Sequence, residues 1–410
     1  MVGAGLAGLS AAVRLAGAGC DVHVVEAAEH VGGRLATERI DGFVVDRGFQ
    51  VLNTAHPALR TEVDLTALDL RAFAPGAVVR GTDGRAHRYA DPLRAPRYAW
   101  TSAVDGLLSP LDKARVLRLS LRAALRDPRR LVDGPERTTA EELSAAGLDG
   151  PATEQFLRPF LAGVFGEREL TTSARFFLLV WRTFARGDST LPSRGMSALP
   201  RQLAARLAPG TVRTGTPVSA VAPGRVRTPD GELAARAVVV AADPATAGRL
   251  LPGLDVPPTG GFTTYYHVTE EPPTRAPLIH LDGTGGPVVN TSVLTLAAPA
   301  YSPDARHLVS STVLGTPGLA EADVRRECAR IYGAPTGGWQ HLHTAVVPHA
   351  VTAFRPPTPA RLRRPVDLGD GLFVAGDARD TPSLQGAVVS GRRAARAVLA
   401  HLGAGVLSGP

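Results

Sequence analysis

A chain of 410 residues, 44% of them hydrophobic, is long enough for two or three domain-sized units with an ample core. Its net charge of +7 comes almost wholly from arginine (Lys113 is the one lysine), and acidic and basic residues are dispersed without a basic block or interleaved aromatics, which argues against nucleic acid as a partner. Cys20 and Cys328 offer no metal spacing, C-x-x-C pair or disulfide framework, and the absence of a secretory or bilayer-spanning stretch makes a cytoplasmic protein the expectation.

The chain opens on Gly3-Ala4-Gly5-Leu6-Ala7-Gly8, a G-x-G-x-x-G turn preceded only by Met1 and Val2. Each glycine has a task in a strand-to-helix phosphate loop. Gly3 permits the tight turn, Gly5 lets a pyrophosphate approach the backbone, and Gly8 lets the helix lie close on a sheet. A helix from about Leu6 to Ala16 would aim its N-terminal amides and positive dipole end at the phosphates. Asp21-Val22-His23-Val24-Val25 reads as a second strand ending on Glu26, where a carboxylate accepts hydrogen bonds from a ribose 2′-OH and repels a 2′-phosphate. Gly32-Gly33-Arg34 then supplies a second glycine pair with a cation attached. One glycine motif arises by chance in a Gly- and Ala-rich chain; three coordinated elements make a dinucleotide site the expectation.

From about 76 to 190 the pattern reads mostly helical. Ser109-Pro110 is a cap followed by an N1 proline, with Leu111, Ala114, Leu117 and Leu121 on one face and a stop at Asp127-Pro128. Thr139-Ala140-Glu141-Glu142 reads as a capping box. Phe156, Leu157, Phe160 and Leu161 mark a third helix, and the apolar run 176–181, bracketed by Arg175 and Arg182, a fourth. A helix near 197–207 precedes short Val-rich strands, including a buried one over Ala237–Ala242. Strands are predicted over Thr263–Val268, Pro287–Leu296 and His307–Leu314, then a helix near 319–332. Gly371-Leu372-Phe373-Val374-Ala375-Gly376-Asp377 is a strand ending in Gly-Asp, and Ser383 through Gly391 leads into the last helix.

Gly3 to Thr37 resembles the opening of the FAD-dependent amine oxidase, phytoene desaturase and protoporphyrinogen oxidase superfamily. The likeness continues through Asp46-Arg47-Gly48-Phe49-Gln50-Val51, a segment that in the family runs beside the flavin ring, and returns in the C-terminal motif. The resemblance implies an α/β fold: a doubly wound Rossmann-type FAD-binding domain (1–75, 191–255 and 346–410) with an interleaved α+β substrate domain, helical over 76–190 and an antiparallel sheet over 256–345. Family members carry a full strand before the first glycine, so the true N-terminus is expected upstream of Met1. The implied FAD-binding residues are Gly3, Gly5, Leu6, Ala7, Gly8, Glu26, Ala27, Gly33, Arg34, Leu35, Gly48, Val218, Asp377, Gly386 and Ala387. Asp377 would meet the ribityl or phosphate region. The amides near Gly386 and Ala387 would face the flavin's pyrimidine edge, where a helix N-terminus stabilises the negative charge of the reduced ring.

Bound FAD would accept a hydride on N5 from a small-molecule substrate, with O2 or a quinone as the electron acceptor. Two departures argue against simple amine oxidation: Lys113 lies away from where the family's lysine falls, and Ser383 stands where many amine oxidases carry tyrosine. Ser383–Ala387, Ser390-Gly391-Arg392 and Trp339–Ala350 look more like the phytoene-desaturase side, which implies an apolar substrate. Phe176, Phe177, Trp181 and Phe184 are candidates for a greasy entrance, although helix-spaced aromatics are more often plain core. Their Arg-flanked segment is also a candidate for peripheral membrane contact. Amine oxidation without the usual lysine, and a flavin- or lipid-binding protein without turnover, are the competing readings. No catalytic acid or base is assigned. His341 and His343 lack a third metal ligand, and His267 and His349 read as hydrogen-bonded structural residues.

Overall fold

The helix Leu6–Gly17 is rich in Ala and Leu, which lose little side-chain freedom on ordering. That composition lets it be buried on two sides. Leu6, Leu9, Ala12 and Val13 pack towards Leu199 and Leu203 of the helix Ala198–Ala204. Ala7, Ala11 and Leu15 meet Ala394, Ala395 and Val398 of the last helix, Leu384–His401. The computed structural model describes residues 1–91, 94–95 and 99–403; the end of the last expected FAD-domain segment, 404–410, lies outside the described residues.

Beneath these helices runs a parallel sheet built from distant segments. Val24–Val25 pairs in parallel with Val212–Arg213, and Val238–Val240 pairs in parallel with Leu372–Val374. Val2 joins the two pairs through parallel bridges to Val25 and Val240. Its amide donates to Val239 at 2.9 Å and its carbonyl accepts from Ala241 at 2.7 Å. The strand expected over 21–25 forms only at Val24–Val25, where Val25 donates to Met1 O and accepts from the Gly3 amide, while the Met1 ammonium donates to His23 O at 2.7 Å. The opposite face is covered by the meander Ala220–Ala222, Arg225–Thr228 and Gly231–Ala234 and by the helix Pro244–Leu250. Helices on both faces of a parallel sheet are the doubly wound arrangement.

The second sheet has seven strands, in the order Gln340–Thr352, Thr259–Thr269, His307–Leu314, Val288–Val293, Ile279–Asp282, Gly76–Arg80, Ala86–Ala90. All neighbours are antiparallel except Ile279–Asp282 beside Gly76–Arg80. The stretch expected to be mostly helical therefore opens with a β-hairpin. Its sequence signal is the β-branched Val78-Val79 followed by a turn at Asp83-Gly84.

Helices then cover one end of this sheet. Ser109 caps Pro110–Leu125 as expected, its Oγ accepting from the Asp112 amide at 3.1 Å. The next cap is one residue earlier than the sequence suggested: Thr138 and Glu141 form the box. Glu142, freed from that role, is buried and ion-paired with Arg122 and Arg137. In Pro110–Leu125 the core takes Leu119 and Ala123. Leu111, Leu117 and Leu121 instead face outward, 58%, 50% and 44% exposed, joined by Leu125 at 77%. The aromatic helix Ala174–Arg186 packs beside it and buries Phe176, Phe177, Leu178 and Trp181.

Candidate functional site

A continuous cavity of about 1660 Å³ is lined at one end by loops of the parallel sheet and at the other by the helical segment. Thirteen of the fifteen residues singled out in the sequence line it. Gly3, Gly5, Leu6 and Ala7 come from the first turn, and Glu26 and Ala27 from the end of the second strand. Gly33, Arg34 and Leu35 come from the second glycine loop, and Gly48, Val218, Asp377 and Ala387 from four separate segments. Gly8 and Gly386 are the two that do not, and each has a packing role. A Cβ on Gly8 would lie 2.1 Å from the Gly3 carbonyl oxygen, and one on Gly386 would lie 1.8 Å from that of Thr381.

Gly5 is different. A Cβ there would meet no protein atom within 4 Å, so the glycine keeps space free on the cavity side. The second glycine loop is stitched against it, the Gly32 amide donating to Ala4 O at 3.0 Å. No side chain caps the Leu6–Gly17 helix and no acid sits in its first turn, which leaves its positive end for an anion. Glu26 accepts from the Ala4 amide at 2.6 Å through one oxygen and from Ala28 at 3.0 Å through the other. It therefore braces the glycine turn as well as facing the cavity, and each oxygen keeps a second lone pair for a ribose hydroxyl. A Cβ-free cradle, an uncapped helix N-terminus and a carboxylate in this order fit the diphosphate and ribose of FAD.

Two expected contacts take another form. Arg34 and Asp377, 343 residues apart, form a bidentate pair at 3.0 and 2.5 Å, and Arg34 also donates to Ala350 O at 3.0 Å. Burial works against the guanidinium charge, but Asp377 outweighs it and holds the Arg34 pKa above its ordinary value. Both Asp377 oxygens are engaged by Arg34, so this pair clamps the second glycine loop to the C-terminal segment. At the last helix, Gly386 donates to Ser383 Oγ at 3.1 Å and Ala387 to Ser383 O at 2.9 Å. Those two amides belong to the cap. Leu384, at the start of that helix, lines the cavity beside Ala387.

The other end of the cavity is walled by aromatic and aliphatic side chains. Phe160 meets Trp181 edge-on at 5.9 Å and Phe184 at 5.1 Å, and Phe156 lies 5.7 Å from Tyr89. Of the aromatics proposed for an entrance, Phe176, Trp181 and Phe184 line the cavity, whereas Phe177 is plain core. The polar atoms of this wall are used elsewhere. Trp181 Nε1 donates to Ser120 Oγ at 3.0 Å, and the Tyr89 hydroxyl donates to Asp105 and accepts from the Leu108 amide. Lys113 also borders the cavity, its ammonium donating to the carbonyls of Ala103 at 2.8 Å and Asp105 at 2.6 Å. Burial lowers the His56 pKa to about 4, which keeps its ring neutral at pH 7. His349 borders the cavity and pairs with Thr259, whereas His267 is buried against Glu321. Among the described residues no three His, Cys, Asp or Glu side chains form a metal cluster, and no helix is long and apolar enough to cross a membrane.

The model of flavin-containing amine oxidoreductases matches residues 6–399. Hydroxysqualene dehydroxylase of Rhodopseudomonas palustris is 28% identical over 98% of both chains. An L-amino-acid oxidase of Sistrurus catenatus edwardsii is 45% identical over 73 residues, a match spanning only 14% of that oxidase's length. Among solved structures, an Exiguobacterium protein assigned as a protoporphyrinogen oxidase superposes with a TM-score of 0.74 at 20% identity over 98% of both chains. Cyclohexylamine oxidase from Brevibacterium oxydans gives 0.71 at 18% identity, again over 98% of both.

Proposed function

This chain belongs to the flavin-containing amine oxidoreductase family, and from that premise we propose that its cavity presents an apolar small molecule to FAD for dehydrogenation or desaturation. It is an FAD-dependent oxidoreductase that acts on a small molecule and needs an electron acceptor. When bound, the flavin supplies the two-electron chemistry as an acceptor of hydride. The glycine turns, Glu26 and the start of the last helix at Leu384 and Ala387 would hold it, with residues 1–75, 191–255 and 346–410 as its domain. The observation that carries the substrate reading is the aromatic wall, whose N–H and O–H groups are already paired within the protein. Such a surface gains by burying hydrocarbon. The relative matched along its whole length is named for hydroxysqualene. Amine oxidation remains the second reading because two of the similar structures are putrescine and cyclohexylamine oxidases. Purified protein is expected to be yellow, and anaerobic addition of apolar candidates should bleach the flavin while an amine panel does not. Bleaching by amines with release of ammonia in air would reverse that assignment.

The route in lies beside the helix Pro110–Leu125. Leu117 and Leu121 border the cavity on one side and are half exposed on the other, in line with Leu111 and Leu125. Arg126, Arg129 and Arg130 are exposed just beyond the stripe. A leucine stripe with flanking cations is the pattern of a helix lying in an anionic bilayer surface. The proposed membrane contact is this helix, in place of the buried run 176–181. Vesicles with about 30% anionic lipid should pellet the wild-type protein. A Leu121→Glu/Leu125→Glu double variant should bind at least about tenfold more weakly, since each buried leucine contributes about 1.5–3 kcal/mol. Equal pelleting would place the contact elsewhere.

A further inference from the structure

Asn290 does not fit an all-apolar substrate. It lines the cavity from the middle of the seven-stranded sheet, is 4% exposed, and its Oδ1 has no hydrogen-bond partner. Three features aim that carboxamide into the cavity. The strand Val288–Val293 carries a bulge immediately before it: Val288 pairs with Val313 while Asn290 pairs with Thr312, so Val289 is the extra residue. Bulges of this kind re-aim the following side chain. The helix Arg158–Phe165 crosses over the site at Gly163, where a Cβ would lie 2.4 Å from Asn290 Nδ2. Glycine there makes room for the carboxamide. The polar character also extends along the sheet, since the hydroxyls of Thr312 beside Asn290 and of Ser292 and Ser310 one row further on lack partners too.

The same row leads to the flavin segment. Asn290 pairs with Thr312, Thr312 with Thr264, and Thr264 Oγ1 accepts from the Phe49 amide at 3.3 Å. Two strand spacings put Asn290 about 10 Å across the sheet from the Gly48–Phe49 loop. A buried carbonyl oxygen without a donor is costly, so a ligand group that fills this point must carry an O–H or N–H. A hydroxyl can accept from Nδ2 while it donates to Oδ1, whereas an ammonium has no lone pair and would leave Nδ2 without an acceptor.

We infer that Asn290 is a substrate-binding residue that holds the hydroxyl group of an otherwise apolar alcohol, its Oδ1 accepting from the hydroxyl and its Nδ2 donating to the oxygen. This rests on the apolar-substrate reading above and narrows it to molecules bearing an alcohol function. Such a contact sets which bond reaches the flavin. An alcohol is therefore favoured over its parent hydrocarbon, which would leave the carboxamide unpaired.

The test uses the FAD-loaded protein and the quenching of its tryptophan fluorescence, to which Trp181 at the cavity contributes, with 1-dodecanol, dodecane and dodecylamine delivered from identical detergent micelles. The alcohol should quench at about tenfold lower concentration than the hydrocarbon, and the amine should gain nothing over the hydrocarbon. Asn290→Leu, close in volume, should erase the alcohol's advantage, with dodecane binding at least as tightly as it does to the wild type. If that variant fails to fold, Asn290→Ala should do the same, and the wild-type ratio stands as a measurement by itself. Equal wild-type affinities, a tighter amine, or an equal loss of alcohol and hydrocarbon in the variants would overturn the inference while leaving the apolar cavity intact. Failure of every probe to bind would remove both.

Discussion

Gly5→Val should purify folded and colourless. A valine side chain at position 5 would meet no protein atom at its Cβ and would occupy the space reserved for the diphosphate. Gly5 is at φ −75°, ψ 179°, an extended conformation open to any residue, so the substitution adds no backbone strain. FAD retention should fall by about 100-fold or more, because steric overlap with a buried ligand cannot be relieved by a sheet-to-helix turn packed on both sides. Gly8→Val is the control. Its Cβ would sit 2.1 Å from Gly3 O and 3.2 Å from the Ala241 methyl, forcing the helix off the sheet. That change should cost about 3 kcal/mol or more whether FAD is present or not. The measurement pairs the flavin absorbance of each purified variant with the melting temperature of its apoprotein. A yellow Gly5→Val protein would show that the diphosphate lies elsewhere. Unfolding of its apoprotein would show that Gly5 serves packing in the way Gly8 does.

The contrast between these two glycines marks how far the sequence could be read. The turn, its helix and the Glu26 position were legible because they are local: a few adjacent residues determine both conformation and chemistry. The Ser109 cap and the strand His307–Leu314 were legible for the same reason. The cap at Thr138 was misplaced by one residue because Thr138-Thr139 and Glu141-Glu142 satisfy the pattern in two registers, and only burial of Glu142 between Arg122 and Arg137 selects one. The outward face of Pro110–Leu125 was invisible because periodicity shows that leucines share a side, not which side the core takes. The hairpin Gly76–Ala90 was missed because its two strands are only five residues long and gain their partner, Ile279–Asp282, from about 200 residues away. Asn290 depends on a one-residue register shift between strands, which leaves no local signature.

The Arg34–Asp377 pair was the least legible contact of all, and breaking it should have the largest effect on stability. Arg34→Ala leaves a carboxylate whose side chain is 7% exposed without the guanidinium that engages both its oxygens. Removing one partner of a buried pair costs about 3–5 kcal/mol, mainly because the remaining charge is stranded. Asp377→Asn should cost less, since Arg34 is 31% exposed and keeps its bond to Ala350 O. The double variant Arg34→Ala/Asp377→Asn should recover most of the single variant's loss, because a neutral carboxamide needs no cation. Urea unfolding of the four apoproteins at pH 7 measures these differences. An Arg34→Ala deficit that does not respond to Asp377→Asn would mean that Arg34 stabilises the fold through Ala350 O, and that the second glycine loop is not fastened to the C-terminal segment by charge.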